Sequence, residues 1–194
     1  VTRPRGRPAR GQGVTRDAIL DAALALLDED GDAGLTMRSL AARLGVTPMS
    51  LYHHVTDHAG LLRALADRLY GDVLQCVDEA GDPVAAIRTL LTRYHDAVVA
   101  HPRLTLAIFA EPAAFAGASR EITDRLTALL AALTPAHLLW RDILVDHAHG
   151  SGLALVAARS DAAQVDALRD AYRHALDCLL ALFSGAPKVE DRKI

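Results

Sequence analysis

The sequence predicts an all-α chain of about nine helices, and three observations carry that reading. Half of its 194 residues are hydrophobic but only 4% are aromatic, so the apolar content is mostly Ala, Leu and Val. Ala and Leu lose little freedom on entering a helix. Apolar positions recur at helical spacing, and no stretch alternates with period two. The breaks carry capping chemistry, with Thr, Ser or Asp before a run and Gly or Pro after it.

The elements follow in order. Residues 1–13, VTRPRGRPARGQG, are rich in Arg, Gly and Pro. They cannot build a core and are expected to form a flexible basic arm. A first helix starts near Thr15, with Asp17 in the turn where an acid suits the helix dipole. Ile19, Ala22, Ala23, Leu26 and Leu27 share one face, and DEDGDAG ends it. Thr36 caps a second helix, Met37 to Leu44, which Gly45 closes. Thr47 caps a third, with Pro48 at its first position and an end near Val55. Thr56 and Asp57 cap a long fourth helix reaching about Val77.

After the break EAGDP, Val84, Ile87, Leu91, Tyr94 and Val98 form the stripe of a fifth helix. His101-Pro102 interrupts it, and a short helix covers 103–110. EPAAFAGAS reads as a loop or frayed turn. Helices over 121–133, 136–158 and 161–183 complete the count. Thr134-Pro135 and Ser160-Asp161 start the last two, and Gly185 and Pro187 end the set. In the final helix Val165, Leu168, Tyr172, Leu176, Leu179 and Phe183 are expected to face inward. The last two helices are apolar enough to need cover on more than one face, which a homodimer would supply.

Charge is distributed unevenly. Residues 1–16 carry five arginines and no acid, and residues 33–56 carry Arg38 and Arg43 and no acid, while the whole chain is −3. A basic arm beside an acid-free segment on an acidic body fits a local polyanion-binding face. Cys76 and Cys178 are far apart and outside any CxxC pattern, and both read as inert reduced thiols at apolar helical positions. The N-terminus has no apolar signal core, and charges interrupt every apolar run before it could span a bilayer. The expectation is a soluble cytoplasmic protein.

Residues 36–55 read as helix, tight turn, helix. Leu40, Leu44, Val46, Leu51 and Val55 point inward and fix the crossing of the two helices. The other face of the second helix shows Thr47, Met49, Ser50 and His53, short or neutral side chains that can approach base edges. Such a helix is the piece that enters a major groove. The competing reading is a plain helical hairpin. Against it stand the lack of acids, the flanking Arg38 and Arg43, and the upstream arm.

The stretch LTMRSLAARLGVTPMSLYHHVTDHAGLLRAL, residues 35–65, resembles the DNA-binding region of the tetracycline-repressor family of bacterial transcription regulators. The likeness extends from Leu20 to Leu65. It rests on the Leu-Thr before the second helix, Leu-Ala-x-x-Leu-Gly-Val, Leu-Tyr-x-His-Val, and a leucine-rich start to the fourth helix. The remaining two thirds match only in helical layout and in segments such as AHPRL and HGSGLAL.

The resemblance implies an N-terminal three-helix helix-turn-helix domain over 14–60. A long helix joins it to a C-terminal helical domain over 61–185 that binds an effector and forms the dimer, and a tail covers 186–194. It also implies roles by position. Arg38 and Ser39, at the start of the first motif helix, meet DNA. Thr47, Pro48, Met49 and Ser50 open the recognition helix, with Met49 placed to pack on a thymine methyl. Tyr52 and His54 hold phosphates, and His53 contacts either bases or backbone. His58 stands where many members have Lys, which weakens that phosphate anchor and makes it pH-sensitive. Arg3, Arg5 and Arg7 compensate from the minor groove.

For the effector, the candidates are polar or aromatic residues inside apolar stretches: Tyr94, His95, Phe109, Phe115, Trp140, His147 and His149. Core packing or a dimer contact is the rival reading for each. Asp142, Asp146 and His149 share a helix face, but no second cluster completes a metal site, so neither a metal nor a cofactor is expected. RGRPARGQG lacks the strand and Lys-Ser/Thr of a phosphate loop, and HGSGLAL lacks the setting of a nucleophilic serine. The chain therefore reads as no enzyme but a ligand-responsive regulator of double-stranded DNA, a repressor on a palindromic operator. The alternatives are an architectural DNA binder, and a small-molecule-binding helical protein whose hairpin is structural.

Overall fold

The computed structural model describes residues 14–75, 81–157 and 162–184. These contain nine α-helices, two 3₁₀ turns and no strand. They form two compact units divided between Leu61 and Leu62. No helix among the described residues is long and apolar enough to cross a membrane.

In the first unit, α1 (Arg16–Asp30) is capped by Thr15, whose hydroxyl accepts from the Ala18 N–H at 3.2 Å. Its buried stripe is Ile19, Leu20, Ala23, Leu26 and Leu27. Gly31 ends it at φ 72°, returning its N–H to the Leu27 carbonyl, and a 3₁₀ turn, Asp32–Gly34, follows. α2 (Met37–Leu44) has only eight residues, below the length at which a helix holds itself in water. Its ends are therefore tied. The Thr36 hydroxyl accepts from the Ser39 N–H at 3.0 Å, and the Ser39 hydroxyl accepts from the Thr36 N–H at 2.9 Å, a reciprocal capping box.

At the other end of α2, Gly45 sits in the left-handed region at φ 66°. The Gly45 N–H meets the Ala42 carbonyl and the Val46 N–H meets the Ala41 carbonyl, the Schellman pattern. A Cβ on Gly45 would have open space, so it is the backbone conformation that selects glycine here. α1 packs on α2, and α2 on α3 (Pro48–Leu51). α4 (His58–Leu74) starts where the Asp57 carboxylate accepts the Gly60 N–H at 2.7 Å, and it continues into the second unit.

The second unit is built around α5 (Pro83–Ala100), which packs against α7 (Ala118–Ala131), α8 (His137–Ala157) and α9 (Ala162–Ser184). Asp82 caps α5 by accepting from the Val84 and Ala85 N–H groups. A Cβ on Gly152 would lie 2.6 Å from a Val98 methyl, so the missing side chain lets α8 lie close on α5. The buried Tyr172 hydroxyl donates to the Leu91 carbonyl at 3.1 Å and fastens α9 to α5. α6 (Pro102–Ala110) and the 3₁₀ turn Pro112–Ala114 lead into α7. The cap of α7 comes from elsewhere in the chain: Asp67 of α4 accepts the Ala118 N–H at 2.8 Å.

Four expectations change. The third helix ends at Leu51, not near Val55. Tyr52, His53 and His54 are exposed, have weak helix propensity, and tighten into a turn while Leu51 and Val55 stay buried. Thr47 occupies the cap position of α3 without making the cap bond; its hydroxyl pairs with that of Ser50 at 3.0 Å. α7 begins three residues before Glu121, because the Asp67 carboxylate supplies a cap that local sequence lacks. In α9 the buried stripe is Tyr172, Leu176 and Leu180, which turns Cys178 outward, so it is an exposed thiol rather than a core one. Cys76, Ser160-Asp161, Gly185 and Pro187 lie outside the described residues.

The two caps predict different costs. Thr36→Ala is expected to lower the unfolding free energy by about 1 kcal/mol, as loss of a bonded cap does. Thr47→Ala is expected to cost well under half of that. Chemical denaturation followed by circular dichroism measures both, and equal losses would refute the assignment of the capping bonds.

Candidate nucleic-acid interface and ligand cavity

The first unit presents one face whose chemistry its own fold leaves unused. Buried Leu40, Leu51 and Val55 hold α2 and α3 together from the inside. Outward, Met49 is 69% exposed and Tyr52 47% exposed, an unusual position for two large apolar surfaces in a small helical unit. Thr47, Pro48, His53 and His54 are exposed beside them, and Ser50 is half-buried. Arg38 is exposed and makes no ion pair or hydrogen bond among the described residues.

The surrounding charges sharpen the contrast. Residues 33–56 contain no acid, and the acids on either side are engaged. Asp32 is bonded to His58 at 2.9 Å, and Asp57 caps α4. Arg43, the other cation of this segment, forms a two-pronged pair with Glu29 at 2.6 and 2.7 Å. Guanidinium hydrogen bonds hold the Glu29 carboxyl below its ordinary range.

Two of the expected contact residues are committed to the fold. The Ser39 hydroxyl serves the capping box and also donates to the Gly34 carbonyl at 2.7 Å. The His58 ring nitrogen is held by Asp32. Arg3, Arg5 and Arg7 lie outside the described residues.

The second unit encloses a cavity of about 470 Å³. Tyr70, Tyr94, Phe109, Phe115 and His149 supply aromatic walls, with Ile108 and Val145 between them. Tyr94 stands edge-on to both Tyr70 and His149, and Phe109 is edge-on to His149 at 4.7 Å between ring centres. Thr105, Ser119 and Thr123 add hydroxyls, and Arg141, Asp142 and Asp146 add charges.

Burial pushes the Tyr70 phenol up to about 12 and Tyr94 higher still, so both keep their protons. Burial likewise lowers the His149 pKa, only partly offset by the nearby Asp146 carboxylate. A neutral His149 offers a lone pair, and the Tyr94 hydroxyl lies 2.6 Å from its Nε2. The phenol is the better donor and the imidazole nitrogen the better acceptor, so Tyr94 donates.

Four of the seven expected ligand candidates, Tyr94, Phe109, Phe115 and His149, line this cavity; three do not. The His95 ring lies flat on Tyr172 at 3.7 Å between centres, and its Nε2 pairs with the Ser151 hydroxyl at 3.1 Å. His147 stacks on the same tyrosine, and Trp140 packs edge-on against Phe183. His95 is a buried core residue with its Nε2 bonded, whereas Trp140 and His147 are half-buried and packed on aromatic rings, the His147 Nε2 without a partner among the described residues. Sequence reasoning missed Tyr70, Thr105, Ser119, Thr123 and Arg141. Thr105 inside LTLAIF and Tyr70 inside an apolar helix gave the same signal that selected Tyr94. Asp142 and Asp146 do share the face with His149, on the cavity wall. Among the described residues no group of three or more His, Cys, Asp or Glu side chains is placed to hold a metal ion.

Residues 19–65 match the model of the family described as bacterial regulatory proteins, tetR family. Over 53 residues the chain is 49% identical to the class D tetracycline repressor protein of Escherichia coli, covering 27% of this chain and 24% of that protein. Over 60 residues it is 43% identical to an HTH-type transcriptional regulator of Saccharopolyspora erythraea, covering 31% and 25%. The chain thus spans about a quarter of the length of these curated relatives. Solved structures share the fold across most of the chain. A TetR variant from Acinetobacter baumannii AYE in complex with minocycline aligns with a TM-score of 0.66 at 24% identity, covering 88% of this chain and 96% of that one. BioQ with its double-stranded DNA operator aligns with a TM-score of 0.68 at 22% identity, covering 89% and 99%.

The buried imidazole of His95 generates a pH prediction. Burial, reinforced by the charges of Arg169, His147 and Arg173, lowers its pKa to about 4, against an ordinary value near 6.5. Between those values the unfolded chain binds a proton that the folded chain refuses, so stability falls as pH falls. The expected loss is about 2 kcal/mol from pH 7 to pH 5. His95→Gln is expected to flatten that slope in melting curves taken across the interval; an unchanged slope would show that His95 is not its source.

Proposed function

Residues 19–65 belong to the tetR family of bacterial regulatory proteins, and from that premise we propose that the chain is a ligand-responsive, sequence-specific transcription regulator. In this reading it is a repressor that a small molecule releases from a palindromic operator. The observation that carries it is the acid-free face of α3, where Met49 and Tyr52 stay exposed beside an uncommitted Arg38. A stability-driven surface has no use for that combination. A major groove has, because base edges take apolar and hydrogen-bonding contacts and phosphates take the cation.

In the proposed complex Thr47, Pro48, Met49 and Ser50 meet base edges. Arg38, Tyr52, His53 and His54 fix register on base edges or the backbone, and Arg3, Arg5 and Arg7 follow the adjacent minor groove. Ser39 and His58 support the face from within the fold. The dimer forms through α8 and α9, which expose Leu138, Leu139, Ile143 and Leu182. The effector occupies the cavity of the second unit, whose volume suits a drug-sized molecule. Tyr70 of α4 belongs to its wall, and the first turn of α4 belongs to the DNA-binding unit. A ligand that prefers one placement of α4 thereby shifts the population able to bind DNA.

Fluorescence anisotropy against the chain's own upstream intergenic DNA, with a scrambled duplex and a salt series, tests the reading. The native fragment is expected to bind at least ~10³-fold more tightly than the scrambled one. Affinity for both should fall steeply with salt as counterions are released. Arg38→Ala and Tyr52→Ala are each expected to weaken specific binding by about tenfold or more. Equal affinity for both duplexes would favour an architectural binder, and no binding by a folded protein would refute the reading.

A further inference from the structure

The protons of both cavity phenols are already assigned, as are those of Thr105 and Thr123, while the buried Ser119 hydroxyl has no partner among the described residues. Thr105 donates to the His101 carbonyl one turn back, so the Tyr70 hydroxyl, 2.9 Å away, donates to Thr105. Tyr94 donates to His149. Thr123 donates to the Ser119 carbonyl at 3.1 Å. Each phenol oxygen therefore keeps its lone pairs but has no proton left to offer.

The charges point the same way. Arg141 directs both Nε and one Nη at a single oxygen of Asp142, at 2.8 and 2.6 Å, so that pair is internally neutralised. Asp146 makes no hydrogen bond or ion pair among the described residues, and His149 beside it is neutral. The wall thus carries one uncompensated carboxylate, two phenol oxygens acting as acceptors, and the electron-rich faces of Tyr and Phe rings. Rings of this kind attract cations as well as apolar groups.

Resting on the reading of this cavity as the effector site, we propose that its ligand class is the amphipathic cation. Such a ligand is a flat aromatic or otherwise apolar body with a protonated amine directed at Asp146 and the phenol oxygens. Its apolar body lies against Phe109, Phe115 and Ile108. An anionic ligand meets an unpaired carboxylate and two phenol oxygens without free protons, and the single unpartnered Ser119 hydroxyl does not offset them. A neutral ligand gains the apolar walls and at most a hydrogen bond, without the attraction of the carboxylate.

The test uses three probes with one ring system: an anthracenylmethyl ammonium, the corresponding alcohol and the corresponding carboxylate. Each is titrated into the full chain by calorimetry, with ring fluorescence as a second readout. The ammonium is expected to bind at least about tenfold more tightly than the alcohol, and the carboxylate most weakly. Asp146 is exposed and unbonded, so Asp146→Asn is compatible with the fold, and it is expected to bring the ammonium-to-alcohol ratio close to one. Ser119→Trp, which fills the cavity, should abolish binding of all three. Binding of the alcohol or carboxylate as tight as the ammonium would overturn the ligand class while leaving the cavity an effector site. A ratio untouched by Asp146→Asn overturns the role of that carboxylate. Failure of all three probes to bind overturns both the class and the effector site.

Discussion

Everything the first unit offers to a partner depends on packing two helices too short to stand alone. α2 has eight residues and α3 has four, and helices of that length lose more in ordering the chain than their own hydrogen bonds return. They exist because Leu40, Leu51 and Val55 are buried together and because both ends of α2 are tied. The capping box ties one end of α2 and the Schellman turn at Gly45 ties the other. With the inner faces consumed by the seam, the outer face is free to be chosen for other reasons. The identities there, an exposed Met and an exposed Tyr in a segment without acids, fit the proposed contact with DNA. The same economy explains Arg43 and His58. Each is a nitrogen donor in or beside the acid-free segment, and each is held by an acid of the same unit. That keeps Glu29 and Asp32 from presenting bare carboxylates next to the proposed polyanion-binding surface.

In the second unit the organising element is α5, and the two sides of that helix have opposite fates. On one, His95 is sandwiched on Tyr172 and bonded to Ser151, a polar ring made structural by stacking and one hydrogen bond. One residue earlier, Tyr94 turns toward the cavity and meets His149. Neighbours in sequence, both inside an apolar run, serve the core in one case and the cavity in the other. The difference is about 100° of helix rotation, and it is set by what α8 and α9 place opposite each face.

That rotation also marks where sequence reading succeeds and where it stops. The helix count, the Gly45 turn, the inward Leu40 and Leu51, and the outward Met49 all follow from local periodicity and capping, which neighbouring residues determine. The cap of α7 by Asp67 was illegible because its two halves are 51 residues apart. Cys178 was misplaced by one position in the phase of α9: Leu180, not Leu179, completes the buried stripe, so the thiol falls outside. Among the ligand candidates, residue type alone selected seven side chains and could not say which way each pointed. Tyr70 and Thr105 were missed for the same reason, since a tyrosine or threonine in an apolar helix looks like core until the helices opposite are known.

The polar groups of the two units are arranged on one principle, with opposite results. In each unit the fold pairs most of the donors and acceptors beside the face or the cavity and leaves a few groups unspent. In the first unit the flanking acids are engaged and a cation with apolar neighbours remains, which suits an anion with exposed base edges. In the second, the phenol protons and the Arg141 guanidinium are engaged, and acceptors with aromatic walls remain, which suits a donor with an apolar body. Internal hydrogen bonds are usually read as stabilising terms, each worth about 1 kcal/mol. Here the stronger consequence is selective. The Tyr94–His149 bond takes away the proton that would otherwise welcome an anion, and the Asp32–His58 bond takes away a carboxylate that would repel one. In the proposed reading, recognition in both units is set as much by what the fold has already paired as by what it leaves exposed.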